Sequence, residues 1–445
     1  MDAFLNREHE RDLVTTGDGS DGSLALFRNR EFVALAGTAF ARSQAYSTIL
    51  IALALYADQL GTSGAVEGLW GTAFALVQLA IVLPLGRMVD THNAKRFLLG
   101  GLVLNVCVFV GFAAVEGVGG IVAMRMLQGL GASVLWLTGS AVVGELSPDA
   151  ERGQWLGTYN QVGAFSSLAG DLVGGFLLYA YGFTVTYAAL SAVTIAATAG
   201  IWRFLRDNPG GRTDPSKVTN TETLRRLLGR SAIRALVTLR LGLSFGKMAV
   251  IVFLPIYART VFGMSPLAIG GVLAGGKLTK SLLQGVVGGY LDRVGKKHYF
   301  VIAGTLTYGF GAAMIPLAGY AQGVIPPLSL SALGTSISVV PAFVPLFCAY
   351  AVIGVADSLR LPASMALFVE EGEFFDAVAG SLSLRSIAWK VGQVLGPLSV
   401  GVIWDLASVT VAFLTAAAFI TVSAGVFVSL YRAEPAPDVT AVPGD

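Results

Sequence analysis

The sequence predicts an all-α membrane protein of twelve transmembrane helices in two pseudo-symmetric six-helix bundles. Composition, the spacing of long apolar runs and a loop motif that occurs twice lead to that reading. The 445 residues are 54% hydrophobic and 13% charged, with a mean hydropathy of +0.69. Soluble domains carry about 25% charged residues. A chain this long and apolar cannot hide its hydrophobic surface from water as one or two soluble domains. Its 55 glycines suit membrane helices, where small residues let backbones approach.

A span needs about 20 mainly apolar residues. Runs of that kind fall at 32–56, 66–88, 96–115, 119–146, 153–181 and 183–205, then at 235–258, 266–291, 298–320, 342–369, 376–407 and 409–431. They divide the chain into a tail (1–31), a bundle (32–205), a linker (206–234), a second bundle (235–431) and a tail (432–445). The linker holds Gly210, Gly211 and Pro215, and its TETLRRLLGRSAIR stretch has the pattern of an amphipathic surface helix. The stretch 321–341 contains Pro326, Pro327 and Pro341 and reads as an outer loop.

Of the 30 Lys and Arg, only Arg259 falls in a predicted outer loop and nine fall within spans. The rest cluster on the side of both termini, which the positive-inside rule makes cytoplasmic, in a multi-pass plasma-membrane protein. The polar first residues lack the apolar core of a cleaved signal peptide. Trp155 and Trp202 sit where interfacial anchors belong. Cys107 and Cys348 read as small buried hydrophobes and not as a disulfide. His9, His92 and His298 lie in or beside hydrophilic segments, so no metal site is expected, and no cofactor. With a net charge of +2 and no basic stripe, nucleic acid is not an expected partner.

The repeat makes the reading specific. Gly86-Arg87-Met88-Val89-Asp90-Thr91-His92-Asn93-Ala94-Lys95-Arg96 follows span two, and Gly288-Gly289-Tyr290-Leu291-Asp292-Arg293-Val294-Gly295-Lys296-Lys297-His298 follows span eight. Such internal symmetry is expected of repeat-built transporters. Both loops resemble the G-x-x-x-D-[RK]-x-G-x-[RK]-[RK] signature of the major facilitator superfamily. The first copy departs from it at Thr91 and at Asn93, where asparagine could still support a left-handed turn. Arg125-Met126-Leu127-Gln128-Gly129-Leu130-Gly131 resembles the family's R-x-x-Q-G-x-G. Span five reads Gly170-Asp171-Leu172-Val173-Gly174-Gly175, with Asp171 where the family's antiporters have proline.

The resemblance implies a secondary transporter, commonly monomeric, that alternates access to a small-molecule substrate, coupled to protons or a counter-ion and surrounded by lipid. Gly86, Asp90, Lys95, Arg96, Gly288, Asp292, Arg293 and Gly295 would form a conformational latch. Asp90 could cap the positive N-terminus of a neighbouring helix, and Lys95 and Arg96 could pair with acids across the gap between halves. The simpler reading of the basic residues is as topology signals.

Cations inside the bilayer are costly unless paired or facing water. Arg42, Arg125, Arg240, Lys247, Lys277, Lys280, Arg360, Arg385 and Lys390 are such cations, and seven belong to the second half. Arg240, near a span end, could snorkel. Lys277 and Lys280 share a helix face, whereas Arg385 and Lys390 diverge by roughly 140°. Asp357 and Arg360, three apart, could neutralise each other. The family resemblance places spans seven, eight, ten and eleven at the central cavity. Lys247, Lys277, Lys280, Arg360, Arg385 and Lys390 are therefore the substrate-binding candidates, favouring an organic anion. A purely structural network with Asp357, carbonyls and water is the alternative. Asp171, Arg125 and Asp357 are the proton-coupling candidates. Asp171 with Arg125 reads equally as a switchable or a permanent ion pair. Trp136, Tyr159, Tyr257 and Trp389 could line a cavity or merely pack.

There is no phosphate-binding G-x-x-x-x-G-K-[ST], no H-E-x-x-H and no G-x-S-x-G, so neither ATP-driven transport nor an enzyme is expected. A proton-coupled multidrug efflux pump and a non-transporting sensor on the same fold remain the competing functions.

Overall fold

Long apolar segments dominate the chain, and they fold as helices, some of them across an internal proline such as Pro84, Pro255, Pro362 and Pro397. The computed structural model describes residues 25–148, 151–207, 221–326, 328–332, 335–375 and 377–431. The N-terminal helices are α1 (Arg30–Leu60), α2 (Gly64–Thr91), α3 (Ala94–Ala113), α4 (Val118–Leu146) and α5 (Arg152–Phe204). The short α6 (Thr221–Gly229) leads into α7 (Ser231–Thr260), α8 (Pro266–Val294) and α9 (Lys297–Met314). After a hairpin come α10 (Phe343–Glu373), α11 (Val378–Leu406) and α12 (Val409–Leu430).

Predicted spans five and six both lie in α5, which is interrupted at Gly182 (φ 71°, ψ −167°). That backbone conformation is open only to glycine at low cost. The stretch 321–341 is not simply a loop. A 3-10 segment (Ile315–Gly323) prolongs α9, and strands β1 (Leu328–Ala332) and β2 (Thr335–Val339) pair antiparallel with Leu330 opposite Ile337. The alternation of apolar residues and serine along both strands has the two-residue period that marks a strand.

Among the described residues, nine helices are long and apolar enough to cross a membrane. The long helices outside that set are α1 and α8. α8 carries Lys277 and Lys280, and α1 carries Arg42, Ser43, Gln44, Ser47 and Thr48. Val110, Phe165, Leu282, Val286, Phe310 and Val422 are each more than 60% exposed. Such side chains are at home against lipid tails. Cys107 and Cys348 are exposed too, not buried as the sequence suggested.

The chain divides into two compact units, one within Met1–Ile49, Ala80–Glu116 and Met126–Thr213, the other within Leu50–Leu79, Gly117–Arg125 and Asp214–Asp445. In the first, Phe32, Leu98, Leu102, Leu135, Val143, Tyr159 and Ile201 share a core. Trp155 belongs to that core, 5.4 Å from the Phe32 ring, and is not the interfacial anchor expected of it. In the second, Leu227 of α6 packs with Leu236, Leu291, Val301, Phe368 and Phe427, which seats the linker helix on its bundle.

Candidate functional site

The second unit gathers most of the membrane-embedded charge, and close helix contacts position it. A Cβ on Gly354 would lie 2.2 Å from the Gly276 carbonyl oxygen, so α8 and α10 meet backbone to backbone. Lys280 and Asp357 lie one turn beyond those glycines. Gly396 similarly abuts the Phe245 carbonyl, bringing α11 onto α7. One to two turns back along both helices, Trp389 lies under Arg240, with the guanidinium 4.2 Å from the ring centroid.

Asp357 is the centre of the cluster. It accepts from Lys247 Nζ at 2.5 Å and from Arg360 Nη2. Its side chain is 10% exposed, those of Lys247 and Arg360 15% and 2%. The Tyr308 ring lies 5.4 Å from Lys247 Nζ and 5.5 Å from the Arg360 guanidinium, and its buried hydroxyl has no hydrogen-bond partner among the described residues. Lys280 acts electrostatically on both Lys247 and Asp357. Arg240 interacts with Arg385, Arg360 and Asp357. Nε of Arg360, Arg385 and Arg240, and Nη1 of Arg240, are buried without a hydrogen-bond partner among the described residues.

Asp357 is thus the one carboxylate among the described residues shown to interact with Lys247, Lys280, Arg360 and Arg240, while Arg385 stands beside Arg360 and Arg240. Each buried ion carries an effective desolvation cost of several kcal/mol. One carboxylate does not offset the cations gathered around it, so the cluster carries an excess of positive charge.

Of the six substrate-binding candidates, Lys247, Lys280, Arg360 and Arg385 come together here. Lys277 is half-buried one turn before Lys280 on α8. Lys390 lies apart, donating to Gln78 Oε1 and, at 3.3 Å, to Gln393 Oε1. Arg240 does not snorkel; it stacks inside the cluster. Its spacing of seven from Lys247, two turns on one face, was the sequence signal for this. Nothing in the sequence marked Tyr308.

Arg125 is 1% exposed, with Nε donating to the Trp70 carbonyl at 3.1 Å and its guanidinium 4.4 Å from the Phe74 centroid. Asp171 is fully buried in the first unit. Of the aromatic candidates, Trp136 is exposed, whereas Tyr257 packs with Phe262, Trp404 and Phe413.

The signature loops are described in part. The side chains of Asp90 and Asp292 lie outside the described residues, and those of Arg96 and Arg293 are exposed. Lys95 was expected to reach across a gap, but it is engaged inside its own unit. Its Nζ donates to the Leu205 carbonyl at 2.6 Å and lies 3.3 Å from Asp207. The α5 C-terminus ends there, and its unsatisfied carbonyls attract a cation. Asn93 is not left-handed: at φ −67°, ψ 107° it caps α3, accepting from Lys95 N at 3.0 Å. Gly86 and Gly288 are half-buried on α2 and α8. Gly295 is left-handed (φ 66°) and caps α8.

One helix cap was not foreseen. Asp405 Oδ1 accepts from Gly64 N at 2.7 Å and Oδ2 from Ala65 N at 2.8 Å, tying the start of α2 to the end of α11. Nearby, Glu67 is 3% exposed and accepts from Thr62 Oγ1 at 3.1 Å.

Residues 35–325 match the sequence model of the Major Facilitator Superfamily. Among curated relatives, an uncharacterised MFS-type transporter of Methanocaldococcus jannaschii is 21% identical over 64% of this chain and 74% of its own length. One of Bacillus subtilis is 26% identical over 79% and 86%. The riboflavin transporter RibZ of Clostridioides difficile is 25% identical over 56% of this chain and 64% of its own. Two Mycobacterium tuberculosis MFS-type transporters are matched over only 26% of their length. Among solved structures, a bacterial homologue of the human lysosomal transporter Spinster superposes with a TM-score of 0.67 at 14% identity, covering 91% of this chain and 98% of that one. A peptide transporter POT in complex with sulfate gives 0.71 at 15%, covering 90% and 94%.

Proposed function

The chain belongs to the Major Facilitator Superfamily, and on that footing we propose that it is a secondary transporter of an organic anion. The observation that carries this reading is the single carboxylate of Asp357 among five cations. An anionic group entering beside Arg240 and Arg385 would find buried guanidinium N–H donors with no competing acceptor among the described residues. A hydrophobic cation would meet like charge. Family membership supports a polytopic membrane carrier, and the name of the Clostridioides difficile relative shows that related chains are assigned small organic solutes.

In this reading the two six-helix bundles rock about the solute in the plasma membrane, with both termini cytoplasmic and a single chain as the working unit. A proton or counter-anion gradient drives the cycle. Asp171 takes the proton and Asp357 serves as counter-ion of the binding cluster. A thermal-shift screen of the purified protein against organic anions and lipophilic cations identifies the ligand, because only ligands of the native state stabilise it. Flux of the stabilising anion into proteoliposomes then separates a carrier from a sensor. Asp171→Asn should abolish pH-driven uptake and keep counterflow; retained pH-driven uptake would remove Asp171 from coupling.

A further inference from the structure

α1 holds a further cation, Arg42, half-buried and in a different setting. Arg42 sits 12 residues into α1, about 18 Å along the helix. Its Nε is buried without a hydrogen-bond partner, and no described residue pairs with the guanidinium as an ion pair. Arginine stays protonated in proteins, so it cannot escape burial by losing its charge. An uncompensated guanidinium inside a membrane helix marks a place where an anion is missing.

What surrounds it narrows the chemistry. Nη2 lies 4.0 Å from where a Cβ on Gly163 would stand, so the guanidinium lies against α5 at a residue that leaves room for it. One turn earlier on α5 is Tyr159, 1% exposed, which interacts electrostatically with Arg42. Its hydroxyl is buried and has no hydrogen-bond partner among the described residues. On α4 the Thr138 hydroxyl is also buried without one. Tyr159 Oη lies 2.2 Å from where a Cβ on Gly139, the neighbour of Thr138, would be. A cationic fork and a phenolic O–H, both with donors to give, form a complementary set for an oxyanion. Planar bidentate recognition of carboxylate or phosphate is what guanidinium geometry favours.

We propose that Arg42 and Tyr159 form a second anion-recognition site, in the first unit, for the carboxylate or phosphate group of a solute. The proposal shares with the functional reading only the premise that the chain attracts anions; it rests on different residues. Arg42 supplies the charge and the Tyr159 hydroxyl donates one hydrogen bond.

The test uses full-length protein in nanodiscs of neutral lipid, with sodium benzoate and inorganic phosphate as probes and thermal unfolding as the readout. Arg42→Gln should raise the Tm of the ligand-free protein, because a half-buried charge without an ion-pair partner is removed. It should also cut the benzoate- or phosphate-induced shift by about half or more. Tyr159→Phe, which removes one oxygen, should weaken the apparent affinity about three- to tenfold without lowering the ligand-free Tm. Whichever probe responds assigns carboxylate or phosphate as the recognised group. An Arg240→Gln/Arg385→Gln variant should keep the Arg42-dependent part of the shift. If that variant behaves as wild type while Arg42→Gln does not, the cluster around Asp357 is not the anion site but this one stands. A lower ligand-free Tm in Arg42→Gln, an undiminished anion shift in it, or no shift with either probe in the wild type would each overturn the proposal.

Discussion

The region around Asp357 and the region around Arg42 both bury arginine in membrane helices, yet they handle the charge differently. Around Asp357, two cations are bound to one carboxylate and two more, Lys280 and Arg240, stand in its field. Around Arg42, a single guanidinium makes no ion pair among the described residues and has beside it a phenol whose buried hydroxyl lacks a partner. Removing a charged side chain should therefore act in opposite directions in the two places. Lys247 and Arg360, held by Asp357, are part of the fold. Arg240 and Arg385, like Arg42, have buried N–H groups without an acceptor among the described residues, are held at the fold's expense and point to a ligand.

The sharpest way to break this comparison is Asp357→Asn. It strands Lys247 and Arg360 without a counter-ion, and breaking a buried pair from one side costs about 3–5 kcal/mol. Thermal unfolding in nanodiscs should show a fall in Tm for Asp357→Asn and a rise for Arg42→Gln. Equal signs would erase the distinction. Asp405→Asn comes next: it weakens two charge-assisted bonds at the start of α2, and loss of such a cap costs about 1 kcal/mol. Faster amide exchange at Gly64 and Ala65, with the rest of α2 unchanged, is the expected signature.

The smallest effect is at Glu31, which accepts from Arg206 at 2.5 Å near the start of α1. The Arg206 guanidinium holds the Glu31 carboxyl below its ordinary range. Because the folded-state value is depressed, the contribution is fully present at neutral pH and is lost only as pH falls through that value. Arg206 is 64% exposed in its side chain, so Glu31→Gln should cost less than about 1 kcal/mol. The cost should disappear at acid pH, where wild type and variant converge in Tm.

The helices were legible because apolar length and breakers report directly on spans. The boundary between spans five and six fell at Gly182, where the backbone turns left-handed. The repeat was legible as sequence but not as geometry. Asn93 and Gly295 occupy equivalent places, yet one caps the following helix and the other ends the preceding one. Equivalent lysines behave alike: Lys95 pairs with Asp207, and Lys297 with Glu370, each within its own unit. The buried cations were visible as residue types. Which of them converge was not, since that depends on contacts such as Gly276 against Gly354 that join positions 78 residues apart. The Asp405 cap is of the same kind, linking residues 341 positions apart.

The most direct test of the cation-rich cluster is a paired titration of the purified protein with benzoate and with the lipophilic cation tetraphenylphosphonium, read by thermal unfolding. Benzoate should raise Tm in wild type, the Arg240→Gln/Arg385→Gln variant should lose most of that rise, and the cation should give none. Stabilisation by tetraphenylphosphonium, with no response to benzoate, would contradict the anion reading.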